Sequence, residues 1–454
     1  MAEQTDIQKA CERLRLNQTA YSKTTRYYDG DQDLQFATEK FLNAFGSLFR
    51  EFALNLCPAV VDALRDKLVV EGFRVEQGKD ETEKAAWKIW QDNRMGKRSG
   101  EIHKEAIRNG DAYAIVWVDA AKRLTIYPNR AISCTVFYDE ETPGKILWGA
   151  KWWTTQEKKI RLNLLYPDQI ERYVSKRKSD TGFPEAKEFE EVVDGGKVAN
   201  PYGVVPIFHF ANNADVGTFG RSELNDCIPV QDGLNKSVLD MLVAMEFASY
   251  RQRWASGIEI DYDDAGQAIP PFKAGIERLW ITENNEAKFG DFDATDLQQF
   301  LSVKDSFRTD FATVSGTPLY YFMQTGANFP QSGESYRRAE TRFVRKVRDR
   351  QEAFGNVWED LMSFALRIEN KSKDVRLFTE WEDAGKLTEK EELENLVLKQ
   401  QIGVTDEQLM SEAGYGAEEI KKMLEEKARQ QEEMVKKFNA GESEDGRPET
   451  GDEI

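Results

Sequence analysis

Between Glu334 and Asn370 the apolar residues Tyr336, Phe343, Val347, Phe354, Leu361, Ala365 and Ile368 recur in a rhythm close to seven, with no proline to interrupt it. At about 1.5 Å per residue this spacing predicts one helix on the order of 55 Å long. A single small domain is hardly large enough to bury it, so the rest of the chain has to supply partners along its length. The first half of the segment, ESYRRAETRFVRKVRDR at 334–350, carries seven basic and three acidic residues in a chain whose formal net charge is −18. Arg337, Arg338, Arg342, Arg345 and Lys346 therefore have two readings. One is contact with DNA phosphates or with an acidic neighbouring subunit; the other is a solvated face forming salt bridges. The second is slightly favoured, because the chain has no base-reading motif.

Immediately before this helix lies SGTPLYYFMQTGANFPQSG, residues 315–333, with three glycines and two prolines. Pro318 and Pro330 stop helix propagation at either end, and Gly316, Gly326 and Gly333 permit conformations closed to other residues. Loops this long inside compact proteins are functional or disordered, and four aromatics argue against simple disorder. The expectation is a mobile loop anchored on two helices. The helix before it is predicted from a capping-box pair, Thr295 and Gln298, through Leu297, Phe300, Phe307 and Phe311 to Gly316. A further helix over 222–255 shows the stripe Leu234, Val238, Met241, Met245 and Ala248. Ser222 is its candidate cap, although Pro229 implies a kink or a late start. Between these two helices, strand-like pieces are expected at 258–260 and 278–282.

The remainder falls into blocks by period. Up to about residue 110 the chain reads as short helices: IQKACERLRLNQ, a turn at Asp29 and Gly30, ATEKFLNAFGSLF, CPAVVDALRDKLVVEGF with Pro58 in its first turn, KAAWKIWQDN and GEIHKEAIRNG. From 111 to 211 the period changes to two, in DAYAIVWVD, RLTIYP, AISCTVFYDE, KILWGAKWWTT, IRLNLLY, QIERYVS and YGVVPIFHF, which predicts an antiparallel sheet region. The stretch from LTEKEEL to KKF reads as helices separated at IGVTD and AGYGA. Residues 440–454 hold six acids and one arginine without apolar periodicity, and a solvated tail is expected.

Catalytic chemistry finds no foothold. The only histidines, His103 and His209, lack metal-ligand spacing and read as satisfied structural residues. GKRSG at 96–100 lacks the preceding glycine of a phosphate loop. Asp29, Asp31 and Asp33 alternate like calcium ligands, but Leu34 and Lys40 stand where glycine and glutamate are needed; near Gly266, Ala265 and Phe272 likewise fill ligand positions. No cofactor, metal or enzymatic activity is expected. Cys11, Cys57, Cys134 and Cys227 are far apart and read as small buried hydrophobes in a reducing compartment. With no long apolar run and no basic-then-apolar leader, neither a membrane span nor secretion is expected. The acidic balance argues against gripping nucleic acid, though not against letting it slide past.

In their order, the stretches RYYDGDQDL, NLCPAVVDALRDKLVVEGF, YPDQIERY, GVVPIFHFAN, FGRSELNDCIPVQDGLNKSVLDMLVAMEFASYRQRWASG, GDFDATDLQQF, VSGTPLYYF and RQEAFGNVWEDLM resemble the portal proteins of tailed double-stranded-DNA bacteriophages. The resemblance implies an α+β portal architecture with a wing at 1–220, stem helices at 221–255 and 293–314, a small α/β clip at 256–292, a tunnel loop at 315–333, a long wing helix at 334–370, a helical crown at 371–438 and an acidic tail at 439–454. It also implies a ring, usually of twelve subunits, at one capsid vertex of the virion, assembled in the host cytoplasm. Its expected partners are the terminase large subunit, a head-completion adaptor, the major capsid and scaffolding proteins, and double-stranded DNA passing through without sequence specificity. Thr317, Pro318, Leu319, Tyr320, Tyr321, Phe322, Met323, Gln324, Thr325, Gly326 and Asn328 would then form the tunnel loop, offering bulk and weak contacts without fixed positive charge. The alternative for this stretch is that Leu319 to Phe322 pack between subunits. For the whole chain the alternatives are a head-tail adaptor or other capsid-associated structural protein, or a carboxylate-dependent hydrolase.

Overall fold

The computed structural model describes residues 4–33, 35–36, 39, 43, 54–76, 80–119, 121–178, 183–249, 253–257, 267, 286–291, 298–323, 333–369, 375–385, 396, 399–401, 403–413, 416, 419–427 and 429. Two compact units divide the chain, Met1–Ala384 and Gly385–Ile454.

Helix α1 (Asp6–Asp29) opens where the Gln8 side chain accepts the Thr5 N–H at 2.9 Å, and it stops at Gly30, whose φ of +83° closes the turn expected there. Helix α2 (Cys57–Asp66) carries Pro58 in its first turn, as the sequence predicts. It does not continue to Phe73. Residues Val70–Val75 are strand β1, with Val70, Phe73 and Val75 buried and a bulge between Val70 and Gly72. The partner of β1 is the antiparallel strand β13 (Leu377–Trp381), so a segment expected within a helical crown is a strand of the first unit. Helices α3 (Asp80–Asp92) and α4 (Met95–Asn109) follow β1.

The region of period two folds into two antiparallel sheets. In the first, β2 (Asp111–Val118) lies between β3 (Leu124–Arg130) and β10 (Ile207–Ala211). The second runs β4 (Cys134–Tyr138), β5 (Ile146–Thr154), β6 (Ile160–Leu165), β7 (Gln169–Ser175) and β8 (Phe189–Glu191), with β9 (Lys197–Ala199) also on β7. Strands β8 and β9 are too short to leave a periodic signal. Alternation sorts each strand's side chains: Trp148, Ala150, Leu162 and Leu164 pack on Ala10, Cys11 and Leu14 of α1, while Ile115, Val136, Leu165 and Ile207 fill the space between the sheets.

Helix α5 (Ile228–Ser249) starts late, with Pro229 in its first turn. Ser222 is not its cap. The Ser222 hydroxyl instead donates to the Arg108 carbonyl and accepts the Leu224 N–H, closing the turn that precedes the helix. An antiparallel hairpin of β11 (Arg253–Ser256) and β12 (Lys288–Asp291) separates α5 from α6 (Gln298–Ser315). The strands expected at 258–260 and 278–282 lie outside the described residues, as do Thr295, Leu297 and nearly all of ATEKFLNAFGSLF.

The long helix is α7 (Gly333–Ile368). Phe343, Val347, Phe354, Leu361 and Ala365 are all 1% exposed or less, so this unit alone covers most of the stripe that seemed to outrun a single domain. Its cover is aromatic: Trp358 meets Trp90 edge-on at 4.9 Å and Phe210 at 4.6 Å. His103, fully buried, accepts the Trp358 indole N–H on Nε2 at 2.9 Å and donates from Nδ1 to the Leu68 carbonyl at 3.1 Å. Burial pushes its imidazole down to about 3, and the Leu68 bond offsets only part of this. The second unit holds helix α8 (Asp406–Glu412) and a helical stretch at 419–427, with Leu409 and Ile420 buried.

Candidate functional site

The link from α6 to α7 is built on a firm root. Gly316 takes φ +66°, the left-handed conformation that ends α6 without a Cβ penalty. Pro318 then begins a single tight turn over Leu319–Tyr321, in which the Phe322 N–H donates to the Leu319 carbonyl at 2.9 Å. That turn folds the aromatics back on the helices. Phe322 meets Phe311 of α6 edge-on at 5.4 Å, Tyr321 lies 5.8 Å from Phe343 of α7, and Tyr320 stacks on Tyr321 at 4.8 Å. The Tyr320 hydroxyl donates to Glu340, and Glu340 lies 3.7 Å from the Lys67 ammonium. Burial and the Glu340 bond together raise the phenol well above its ordinary range.

Beneath the root is a buried ion cluster. Lys346 donates to the Ser315 carbonyl at 2.8 Å and pairs with Glu223 at 2.6 Å; Arg350, one helical turn further along α7, pairs with the other oxygen of Glu223 at 3.0 Å. The Asn212 amide also donates to Glu223, at 3.1 Å. Burial pushes the Glu223 carboxyl up, but the Lys346 and Arg350 charges outweigh it and hold the group below the ordinary carboxylate value. One carboxylate thus fixes the end of α6, the middle of α7 and the turn before α5 to each other.

The expected loop residues divide accordingly. Thr317, Pro318 and Phe322 are buried in the root; Leu319, Tyr320, Tyr321 and Met323 are half-buried; Gln324, Thr325, Gly326 and Asn328 lie outside the described residues. Phe322, read as offering bulk to a channel, is instead buried against Phe311 of α6, where the turn after Pro318 brings it. Of the basic residues of α7, Arg338, Arg342 and Arg345 are exposed, and the Arg337 side chain lies outside the described residues. Lys346 is committed to Glu223, which corrects its reading as a contact for DNA or another subunit. The sequence reading missed Glu223, Arg350 and Glu340. Nothing local marks a carboxylate whose partners lie more than a hundred residues away.

Helices α5 and α6 meet closely. A Cβ added at Gly233 would come within 2.8 Å of the Phe307 ring. At the far end of the pair, Trp254 of β11 covers Gly290 of β12, where an added Cβ would fall 2.7 Å from the indole. Among the described residues no group of three or more His, Cys, Asp or Glu side chains is placed to hold a metal, and no helix is long and apolar enough to cross a membrane.

The family described as Phage portal protein, SPP1 Gp6-like, matches residues 13–433. The portal proteins of Mycobacterium phages D29 and L5 are each 25% identical to this chain, over 345 and 344 residues, which is 71% of this chain and 67% of each relative. Among solved structures, the neck of an empty gene transfer agent particle is similar at a TM-score of 0.46 and 12% identity, covering 82% of this chain and 91% of that one. A chain from the virion of the native particle gives 0.43 and 12%, covering 84% and 92%. The family match spans most of the sequence, and the chain belongs to the phage portal protein family. It is a structural, non-catalytic component of a tailed-phage-like virion, whose portal is an oligomeric DNA channel.

Proposed function

We propose that this chain forms a ring, in the usual portal number of twelve, at one capsid vertex, with α5 and α6 as its stem, the β11–β12 hairpin in its clip and residues 324–332 as the part of the tunnel loop that reaches DNA. The clip then docks the terminase large subunit during packaging and a head-completion adaptor afterwards. Assembly takes place in the host cytoplasm with the major capsid and scaffolding proteins. The observation that carries this reading is the order α5, β11–β12 pair, α6, packed loop root and α7, with one buried carboxylate fixing the end of α6 and the middle of α7 to the turn before α5. Such a root lets a loop move while its base stays fixed. Exposed apolar side chains along the stem, Leu301, Val303 and Val314 among them, support burial against a second copy. The chain's net charge of −18 suits a channel that repels DNA rather than binding it. The exposed Arg342 and Arg345 then make weak phosphate contacts or meet a neighbouring subunit.

Native mass determination with negative-stain microscopy of the purified chain, alone and with its scaffolding protein, tests the proposal. A ring of about twelve with a central hole is expected; a monomer under both conditions overturns it. In rings that form, replacing Gln324 and Asn328 by glycine should lower DNA retention in filled heads while leaving the ring intact. Unchanged retention would remove those residues from the channel.

A further inference from the structure

The two sheets diverge at one end of the core they share, leaving a cleft of about 310 Å³. Its walls include Trp117 of β2, Tyr127 of β3 and Trp153 of β5. Its floor is polar. Lys151, Asn163 and Arg172 lie directly opposite one another on β5, β6 and β7, pointing from one face, so a cation stands on each side of an amide. At about 4.8 Å between strands, the two cationic positions are roughly 10 Å apart.

Three observations show this floor to be unfinished. Neither Lys151 nor Arg172 forms an ion pair among the described residues, although nearby Lys197 takes Glu171 at 2.9 Å and Lys145 takes Asp139 at 3.3 Å. The Lys151 ammonium lies instead over the Trp153 ring, 5.7 Å from its centre. Between the two cations, the Asn163 Oδ1 is buried with no hydrogen-bond donor among the described residues. In a chain with 80 acidic and 62 basic residues, two cations left without a carboxylate beside an aromatic wall are an arrangement that an outside anionic group completes.

We propose that this cleft docks an extended acidic segment of a partner protein, in which carboxylates alternate with apolar side chains. The carboxylates meet Lys151 and Arg172, and an apolar side chain lies against Trp117 and Trp153. Anionic charge alone leaves the aromatic walls uncovered, and an apolar segment leaves both cations unpaired. A cavity of this size admits one or two side chains and excludes a DNA duplex.

The test uses the full chain and a fluorescein-labelled octapeptide of alternating glutamate and leucine, read by fluorescence polarisation. Saturable binding is expected, weakened at least tenfold when glutamine replaces glutamate in the peptide, and at least tenfold in the double variant Lys151→Gln/Arg172→Gln. That variant keeps the length of both side chains and should melt as the parent does. Trp153→Phe, which keeps the wall but reduces its area, should weaken binding by a smaller factor. Equal binding of the glutamine peptide overturns the proposal, as does unchanged affinity in the double variant or no binding at millimolar peptide. Sedimentation of Lys151→Glu/Arg172→Glu gives the last arm: loss of a parental oligomer would show that the cleft is filled by a second copy of this chain, and the partner segment would be rejected.

Discussion

Glu223 is the residue on which the loop root depends, because it is 11% exposed and shares two cations from one helix face. Removing one partner strands charge in a low-dielectric site, so Lys346→Met should cost about 3 kcal/mol in urea denaturation; a loss below about 0.5 kcal/mol would show the cluster to be incidental. Because the Glu223 carboxyl is held below its ordinary value of 4.5, its stabilisation is complete above that pH and fades as pH falls further. Glu223→Gln should flatten that acid limb. His103 titrates in the same sense for a different reason. Folding keeps it neutral down to about 3 while the unfolded chain takes the proton near 6.5, so stability should decline from pH 6.5 to 5, above the carboxylate range. In His103→Gln that slope should be lost, and its persistence would place its origin elsewhere. The sequence made His103 readable as a satisfied core residue, since it has no metal-ligand neighbours. Glu223 was one of many acids, distinguished only by distant partners.

Helices and turns whose signals are local were legible, as α1, α5, α7 and strands β2 to β7 show. Elements whose partners are remote were not. Residues 70–75 follow a good helix without a breaker, and only the pairing with β13 makes them a strand. Likewise Pro318 and Gly316 announced a break but not that the chain would fold straight back onto Phe311. The contact of α5 with α6 offers a direct check on packing. Gly233→Ala gains about 0.5–1 kcal/mol of helix propensity but drives a Cβ to 2.8 Å from the Phe307 ring. The single variant should therefore be no more stable than the parent, whereas adding Phe307→Leu should recover stability, with a coupling of about 1–2 kcal/mol in a double-mutant cycle. Additive effects would mean that the ring moves freely.

For the molecule as a whole, the boundary after Ala384 makes a clear statement about where the first unit ends. A chain stopped after Ala384 should melt within a few degrees of the first transition of the full chain. One stopped after Asn370 loses β13, uncovers Phe73 and leaves β1 as an open edge; it should be recovered mainly as aggregate. Equal solubility of the two would show that the β1–β13 pair is dispensable. That pair also sets a clock on synthesis. Val75 bonds across to Leu377, roughly 300 residues later, and at about 5–20 residues per second a ribosome needs ~15–60 s to deliver the second strand. Until then the nascent N-terminal half carries an unpaired strand, so α5, α6 and the turn at Leu319–Tyr321 are made before the β1–β13 pair is closed. Slowing translation downstream of residue 75 would lengthen this exposure, and chaperone occupancy of ribosome-bound chains should rise with it until residue 381 clears the exit tunnel.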